Sequence, residues 1–228
     1  MIHPSSYFKS EIPSHWRTAP FWTLFKRNKK TGFPNEELLS VYRDYGVIPK
    51  SSREDNHNVA SEDLSGYQLV TEGSLVTNKM KAWQGSIAIS RHQGIVSPAY
   101  YVYEPLSKEH DQYLHYLFRS RPYIELYQRI SKGVRVGQWD LEHEALRTIP
   151  VLLPDLSVQK EIAEFLDRET ARIDQLIDKR NQQLSLIKKI RDATILKKIT
   201  EGVEGNRPIK ETKMSWASYI PSDWALSK

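Results

Sequence analysis

SVQKEIAEFLDRETARIDQLIDKRNQQLSLIKKIRDATILKKIT, running from Ser157 to Thr200, contains neither proline nor glycine. Ile162, Leu166, Ile173, Leu176, Ile187 and Ile190 fall on one heptad seam, with Leu166, Ile173 and Ile187 at a positions and the others at d. Ile177 and Leu184 widen the stripe, while Arg180 and Gln183 interrupt it. Glu161, Glu164 and Asp167 lie early, and Lys188, Lys189, Arg191, Lys197 and Lys198 lie late, which complements a helix macrodipole. Ser157 is placed to cap the start, although Lys160 stands where a capping box would have glutamate. Gly202 is a natural stop. At ~1.5 Å per residue such a helix is about 65 Å long. A compact domain cannot cover the whole of that stripe, so the seam calls for a second long helix. This chain contains no second such stretch.

Working outward, residues 1–156 read as a mixed α/β domain. Leu75-Val76-Thr77, Ser86–Ser90 and Gly94–Tyr103 are β-branched or aromatic runs with glycines near their starts. Residues 109–130 read as helical: Tyr113, Leu114, Leu117 and Phe118, then Tyr123, Leu126, Tyr127 and Ile130, recur at helical spacing. Pro122 should separate or kink them. Beyond the helix, Gly202 to Lys213 reads as a polar linker. Then Ile220-Pro221-Ser222-Asp223-Trp224 repeats Ile12-Pro13-Ser14-His15-Trp16 at an offset of 208 residues, and Trp216 matches Phe8 at the same offset. The expected organisation is therefore three parts: a domain over 1–156, a long helix over 157–201, and the start of a second repeat over 202–228. The fold class expected is α+β followed by a coiled-coil-like helix.

Composition excludes several classes. The chain has 228 residues, 27% charged and 39% hydrophobic, which fits a globular protein. The densest apolar stretch, Ile149–Leu153, includes Pro150 and is far short of a membrane span. The start at Met1 shows no signal-peptide pattern, so a cytoplasmic protein without a membrane partner is expected. No cysteine is present to build disulfides or a thiolate metal site. The net charge is +5, but residues 1–156 carry 19 Lys/Arg against 17 Asp/Glu, so clustering matters more than the sum. Lys26, Arg27, Lys29 and Lys30 crowd into five residues, and Arg119, Arg121, Arg129, Lys132 and Arg135 form a second basic window.

Three local sequences carry a family resemblance. Ile12-Pro13-Ser14-His15-Trp16 is one. Asn78-Lys79-Met80-Lys81-Ala82-Trp83-Gln84-Gly85, followed by Gly94 to Tyr100, is the second. Ile149-Pro150-Val151-Leu152-Leu153-Pro154, then Gln159 and Ile162–Asp167, is the third and the most specific. Together they resemble the specificity subunits of type I restriction–modification systems. Val158-Gln159 departs slightly from the Glu-Gln common in that family. The resemblance implies an intact subunit with two target-recognition domains held apart by two antiparallel helices, each domain reading half of a bipartite DNA site. It implies partners too: double-stranded DNA, methyltransferase subunits and a restriction–motor subunit. S-adenosylmethionine, ATP and Mg²⁺ are then expected on those partners, and no cofactor, metal or catalytic residue on this chain. The length is about half that of an intact subunit. A homodimer pairing the long helix with its symmetry mate would restore the missing half.

DNA reading needs cations for phosphates, Arg or Lys for guanine, and Asn or Gln for adenine. The candidates form three sets: Lys26, Arg27, Asn28, Lys29 and Lys30, expected in a loop; Lys79, Lys81, Trp83 and Gln84; and Arg135 with Gln138, near Gly133 and Gly137. Each has a plainer reading. Met80 and Trp83 can instead be core residues, and Gly133–Gln138 an ordinary hairpin turn. The candidate partner-helix residues are Ile162, Leu166, Ile173, Leu176, Ile177, Leu184, Ile187 and Ile190.

No phosphate loop, dinucleotide fingerprint or Asn-Pro-Pro-aromatic segment is present, and the seven histidines show no metal-ligand spacing. Asp155, Glu211 and Lys213 imitate the set of a metal-dependent nuclease, but the long helix lies between them in sequence. A coiled-coil adaptor without DNA function explains the helix but not the repeated opening motif.

Overall fold

The computed structural model describes residues 12–53, 60–133, 139–203 and 207–225. The chain forms two compact units, Met1–Leu166 and Asp167–Lys228.

In the first unit, alternation along short strands builds a sheet that is buried on both faces. Strand β1 (Arg17–Pro20) leads through the short helix α1 (Phe21–Leu24) into β2 (Phe25–Asn28). The hairpin β3 (Leu39–Tyr42) and β4 (Gly46–Pro49) follows, then β5 (Gln68–Val70), β6 (Leu75–Asn78), β7 (Ile87–Ile89), β8 (Gly94–Val96) and β9 (Tyr100–Pro105). Four of these form an antiparallel sheet in the order β2-β9-β6-β7. Successive side chains on a strand point to opposite faces. Phe25, Leu75, Ile87, Ile89 and Tyr103 therefore join one core, while Val76, Ala88 and Val102 join another with Leu39, Val41, Val47, Val70 and Val96. That double burial explains the uninterrupted apolar runs in the sequence. The run expected over Gly94–Tyr103 is two strands with different partners: β8 pairs with β5, and β9 with β2 and β6. Gly94 is demanded by proximity, since a Cβ there would lie 2.3 Å from the carbonyl oxygen of Glu37.

Helices α2 (Asp111–Arg119) and α3 (Arg121–Ile130) meet at Ser120, two residues before Pro122, so the chain is separated into two helices there. Pro122 sits in the first turn of α3, where a missing N–H costs nothing. Their apolar faces bury Tyr113, Leu114, Phe118, Tyr123, Leu126 and Tyr127 in the first core. The tyrosine hydroxyls find backbone partners. Tyr113 donates to Leu152 O at 2.8 Å, and Tyr123 donates to Pro150 O at 2.9 Å while accepting the Leu152 N–H at 3.2 Å. Burial pushes the Tyr123 phenol far above its ordinary range, so it remains a donor.

The two-stranded ribbon β10 (Ser131–Lys132) and β11 (Asp140–Leu141) precedes the short helix α4 (His143–Arg147). The chain then closes on itself. Strand β12 (Pro150–Leu153) pairs antiparallel with β1, Arg17 opposite Leu153 and Pro20 opposite Pro150. The Ile12–Trp16 and Ile149–Pro154 sequences are thus neighbours in space. From this seam the helix α5 (Leu156–Glu201) departs, 46 residues long. Its first turn contains Ser157, so Ser157 is not the cap; Asp155 stands before the helix and its carbonyl accepts the Gln159 N–H at 2.9 Å. Gly202, at φ +80°, ends the helix in the left-handed conformation.

The second unit holds the rest of α5 and a hairpin. Strand β13 (Ile209–Met214) pairs with β14 (Ala217–Pro221). The polar linker expected to reach Lys213 therefore gives way to a strand at Ile209, and Glu211 lies opposite Tyr219 in the ladder. Both copies of the repeated motif make the same turn: the Trp16 N–H bonds Pro13 O at 3.0 Å, and the Trp224 N–H bonds Pro221 O at 3.0 Å. No helix of the described residues is long and apolar enough to cross a membrane.

Tyr123→Phe removes one hydroxyl and strands both the Pro150 carbonyl and the Leu152 N–H in the core. It should lower unfolding free energy by about 1–3 kcal/mol, read as an earlier urea midpoint with unchanged slope. An unchanged midpoint would contradict the anchoring role.

Candidate nucleic-acid interface

The strand registers bring two of the three candidate sets to one end of the four-stranded sheet. Asn28 pairs with Val102 at the close of β2, and Asn78 pairs with Tyr100 at the close of β6. Lys29 and Lys30 therefore leave the sheet beside the start of β9, and so do Lys79 and Lys81. The Lys79 N–H bonds Ala99 O at 3.3 Å, continuing that ladder by one step. The ribbon β10–β11 is fastened at the same end, because the Leu141 N–H donates to Lys79 O at 2.9 Å. Arg135 and Gln138 themselves lie outside the described residues.

The five residues expected in a loop differ in environment. Lys26 to Asn28 are strand, because pairing with β9 overrides the turn-like composition of a Lys-Arg-Asn-Lys-Lys run. Lys26 and Lys29 are exposed. Arg27 lies with its guanidinium 4.7 Å from the Tyr101 ring centre and 5.7 Å from that of Tyr103. It also donates to Asn28 O at 2.7 Å, Val102 O at 3.0 Å and Gln68 Oε1 at 3.0 Å. Burial lowers its pKa, partly offset by the two tyrosines. Asn28 is buried and donates to Glu104 Oε1 at 2.9 Å, while its own Oδ1 accepts the Lys30 N–H. Lys30 pairs with the same carboxylate at 2.8 Å. Arg27 and Asn28 are thus bound into the sheet, and Lys26 and Lys29 face water.

In the second set, the structure corrects the core reading of Met80 and Trp83. Met80 is 51% exposed, and the residue buried in that turn is Ala82. Trp83 is half-buried and meets Trp139 at 5.1 Å between ring centres, its indole N–H donating to Met80 O at 3.1 Å. Lys81 and Gln84 are exposed in the 3-10 turn region, closed by Gly85 at φ +96°. Among the described residues no carboxylate pairs with Lys29, Lys79 or Lys81.

Two features at this end escape a reading by sequence. His143, from α4, stacks at 26° on Tyr103 with its Nδ1 2.8 Å from the phenol oxygen. Burial holds the imidazole below its ordinary value against the pull of Glu144, and Arg27, Arg147 and Lys29 push the same way as burial. A neutral ring there accepts the Tyr103 O–H, which burial keeps protonated. The other feature is the tip of the β3–β4 hairpin. A Cβ on Gly85 would lie 3.8 Å from Arg43 Cγ, so the tip adjoins the Lys81–Gln84 turn. Arg119 of α2 holds that tip, donating to Arg43 O at 2.8 Å and Asp44 O at 3.0 Å. Tyr45 is 57% exposed, and the Arg53 guanidinium lies 4.5 Å from its ring. The sequence signal for the tip is slight: Arg43, Tyr45 and Arg53 lie scattered among Asp44, Glu54 and Asp55.

The partner-helix residues divide. Ile162 packs against the first core beside the buried Ala163, so the first turns of α5 are occupied by the domain. Leu166 is half-buried. Ile173, Leu176, Ile177, Leu184, Ile187 and Ile190 are each 50–61% exposed, an apolar stripe open to solvent along the helix. The two polar interruptions bond to each other, Arg180 Nη1 to Gln183 Oε1 at 3.0 Å. Among the described residues no group of three His, Asp or Glu side chains is placed to hold a metal ion.

Comparison with known proteins bears on this arrangement. The fold is similar to that of the HsdS subunit from Thermoanaerobacter tengcongensis, at TM-score 0.54 and 14% identity over 83% of this chain and 50% of that one. It is similar to a chain from a study of complex assembly and conformational transition of the type I R-M system, at TM-score 0.55 and 14% identity over 82% of this chain and 50% of that one. The chain spans about half the length of these solved structures. Residues 14–186 match the family described as type I restriction modification DNA specificity domain, which is most of the sequence. The chain therefore belongs to the family of type I restriction–modification DNA specificity domains.

Proposed function

We propose that this chain reads one half of a bipartite DNA site for a type I restriction–modification complex and performs no chemistry itself. The observation that carries the reading is the convergence of Lys29, Lys79, Lys81 and Gln84 on one end of the β2-β9-β6-β7 sheet, in a chain of this family. Cations without carboxylate partners suit phosphates, and Gln84 has the donor–acceptor pair that matches adenine. Lys26 and Lys30 extend the basic rim, Lys30 by way of its Glu104 pair. Arg135 and Gln138, which follow β10 in sequence, belong to the same reading. Arg43, Tyr45 and Arg53 add a second tier from the hairpin tip. Arg27 and Asn28 hold the sheet end in shape, because their donors are engaged within the protein. Trp83 braces the ribbon through Trp139.

In this reading residues 1–156 are the recognition domain, 157–201 the spacer and 202–228 the opening of a second recognition repeat. The shared turn at Pro13–Trp16 and Pro221–Trp224 supports the last part. The exposed stripe of α5 takes the equivalent helix of a second copy. Among the described residues α5 is the one long helix, and a two-fold pair would give its stripe an equivalent neighbour. The Arg180–Gln183 step in mid-seam favours one register over its neighbours. Methyltransferase and restriction–motor subunits are the proposed further partners, and S-adenosylmethionine, ATP and Mg²⁺ belong to them.

DNA affinity measured by fluorescence anisotropy across salt concentrations separates the roles. Lys79→Ala with Lys81→Ala should weaken binding to all sequences and make the log–log salt slope shallower by about 1.8, at roughly 0.9 per lost phosphate contact. Gln84→Ala should keep the slope and relax discrimination at one base pair. Equal binding by the lysine variant and the parent would count against this face. Leu176→Asp should leave the recognition domain folded and convert a dimer to a monomer by light scattering; a parent that is monomeric at micromolar concentration would refute the pairing.

A further inference from the structure

Gln159 has no exposed surface, although it lies on the fourth residue of a helix that is mostly open to water. Its amide is committed on both sides. Nε2 donates to Pro154 O at 2.9 Å and to Glu109 Oε2 at 2.6 Å, and Oε1 accepts the His110 N–H at 3.0 Å. The opposite orientation of the amide would set its oxygen against a carbonyl and a carboxylate, so the network fixes the assignment. The other oxygen of Glu109 pairs with Arg17 of β1. Four parts of the first unit are thus linked through the Glu109–Gln159 pair: the first strand, the segment before α2, the exit from β12 and the base of α5. Ala163 and Ile162 pack against the core one turn further on.

We infer that the Arg17–Glu109–Gln159 relay is the joint that fixes the direction in which α5 leaves the recognition domain, making Gln159 a positioning residue for half-site spacing. This rests on the reading of α5 as the spacer. A long helix amplifies any slack at its base. At ~1.5 Å per residue a helix of 46 residues is about 69 Å long. A swing of about 10° at the base then moves the far end by about 12 Å, which is three to four base-pair steps of ~3.4 Å. Apolar packing alone resists such a swing weakly, because hydrophobic contact is not directional. Three hydrogen bonds in different directions to one amide resist it strongly, and the carboxylate makes one of them charge-assisted.

The chain has no cysteine, so Gln128→Cys with Glu164→Cys gives two thiols for spin labels, both exposed and both in the first unit. Pulsed electron resonance should show one narrow distance distribution for the labelled parent. Gln159→Met keeps the volume and removes the polar atoms; Gln159→Glu keeps the shape and puts a second carboxylate against Glu109. Both should broaden the distribution at least two-fold with helicity unchanged. A residue that merely fills space predicts no broadening in Gln159→Met, and that result would overturn the joint. If Gln159→Met does not fold, Glu109→Gln serves instead: it keeps an acceptor for Nε2, loses the Arg17 pair and should broaden the distribution less than Gln159→Glu. With the methyltransferase co-expressed, Gln159→Met should leave the half-site sequences intact and admit additional spacer lengths among methylated sites. A broadened distance with unchanged spacer lengths would overturn the spacing role. A parent that directs no methylation would defeat the DNA-reading function instead, and the distance measurement would still decide the joint.

Discussion

The pairing of β1 with β12 is the constraint on which the rest depends. It joins the beginning of the strand-rich part of the first unit to its end, Arg17 opposite Leu153 and Pro20 opposite Pro150. Everything between is a closed excursion of the chain, and the long helix starts three residues past the closure, at Leu156. A domain closed in this way can be inserted between helices without disturbing them. The tyrosines of α2 and α3 secure the closure from inside, because the Leu152 and Pro150 carbonyls and the Leu152 N–H find their partners in hydroxyls rather than in a wider sheet. The buried Gln159 amide secures it from the helix side. Two short strands alone would be a marginal ribbon; side-chain bonds from three helices make it a fixed seam.

The sequence disclosed those parts of the fold whose periodicity is local. The helix over 157–200 was legible because an uninterrupted heptad stripe has few other interpretations, and its end at Gly202 followed from the glycine's left-handed backbone. The helices at 109–130 were legible for the same reason. The strands were only half legible. A sheet buried on both faces lacks the alternation that marks a strand, so Gly94–Tyr103 read as one run when it is two. Lys26–Lys30 read as a loop because its composition is that of a turn, whereas register with β9 decides otherwise. Ile209–Lys213 read as part of a linker because Lys210, Glu211 and Lys213 hide a strand of a two-stranded hairpin that is exposed on one side.

The candidate interface was less legible still, for a topological reason. Lys29 and Lys79 are fifty residues apart in sequence and become neighbours through β9, which pairs with both of their strands. No spacing rule anticipates that. Nor could composition separate Arg27 from Lys29: both are cations in one cluster, yet one is stacked on Tyr101 and hydrogen-bonded to Gln68 while the other is open to water. The hairpin tip at Arg43–Tyr45 is held by contacts from distant parts of the chain, Leu39, Val41 and Val47 in the second core and the Arg119 guanidinium on its carbonyls. Cations at a sheet end backed by engaged side chains have the chemistry that the proposed reading of a stiff polyanion needs.

The most direct test of DNA reading by this chain is a methylation map. The chain is co-expressed with its methyltransferase subunit in a host free of adenine methylation, and the genome is sequenced by a method that detects methyladenine. A bipartite palindromic site, with the same half-sequence on both sides of a spacer of fixed length, is the result expected of two copies paired through α5. An asymmetric site, or no new methylation from an assembled complex, would contradict the account.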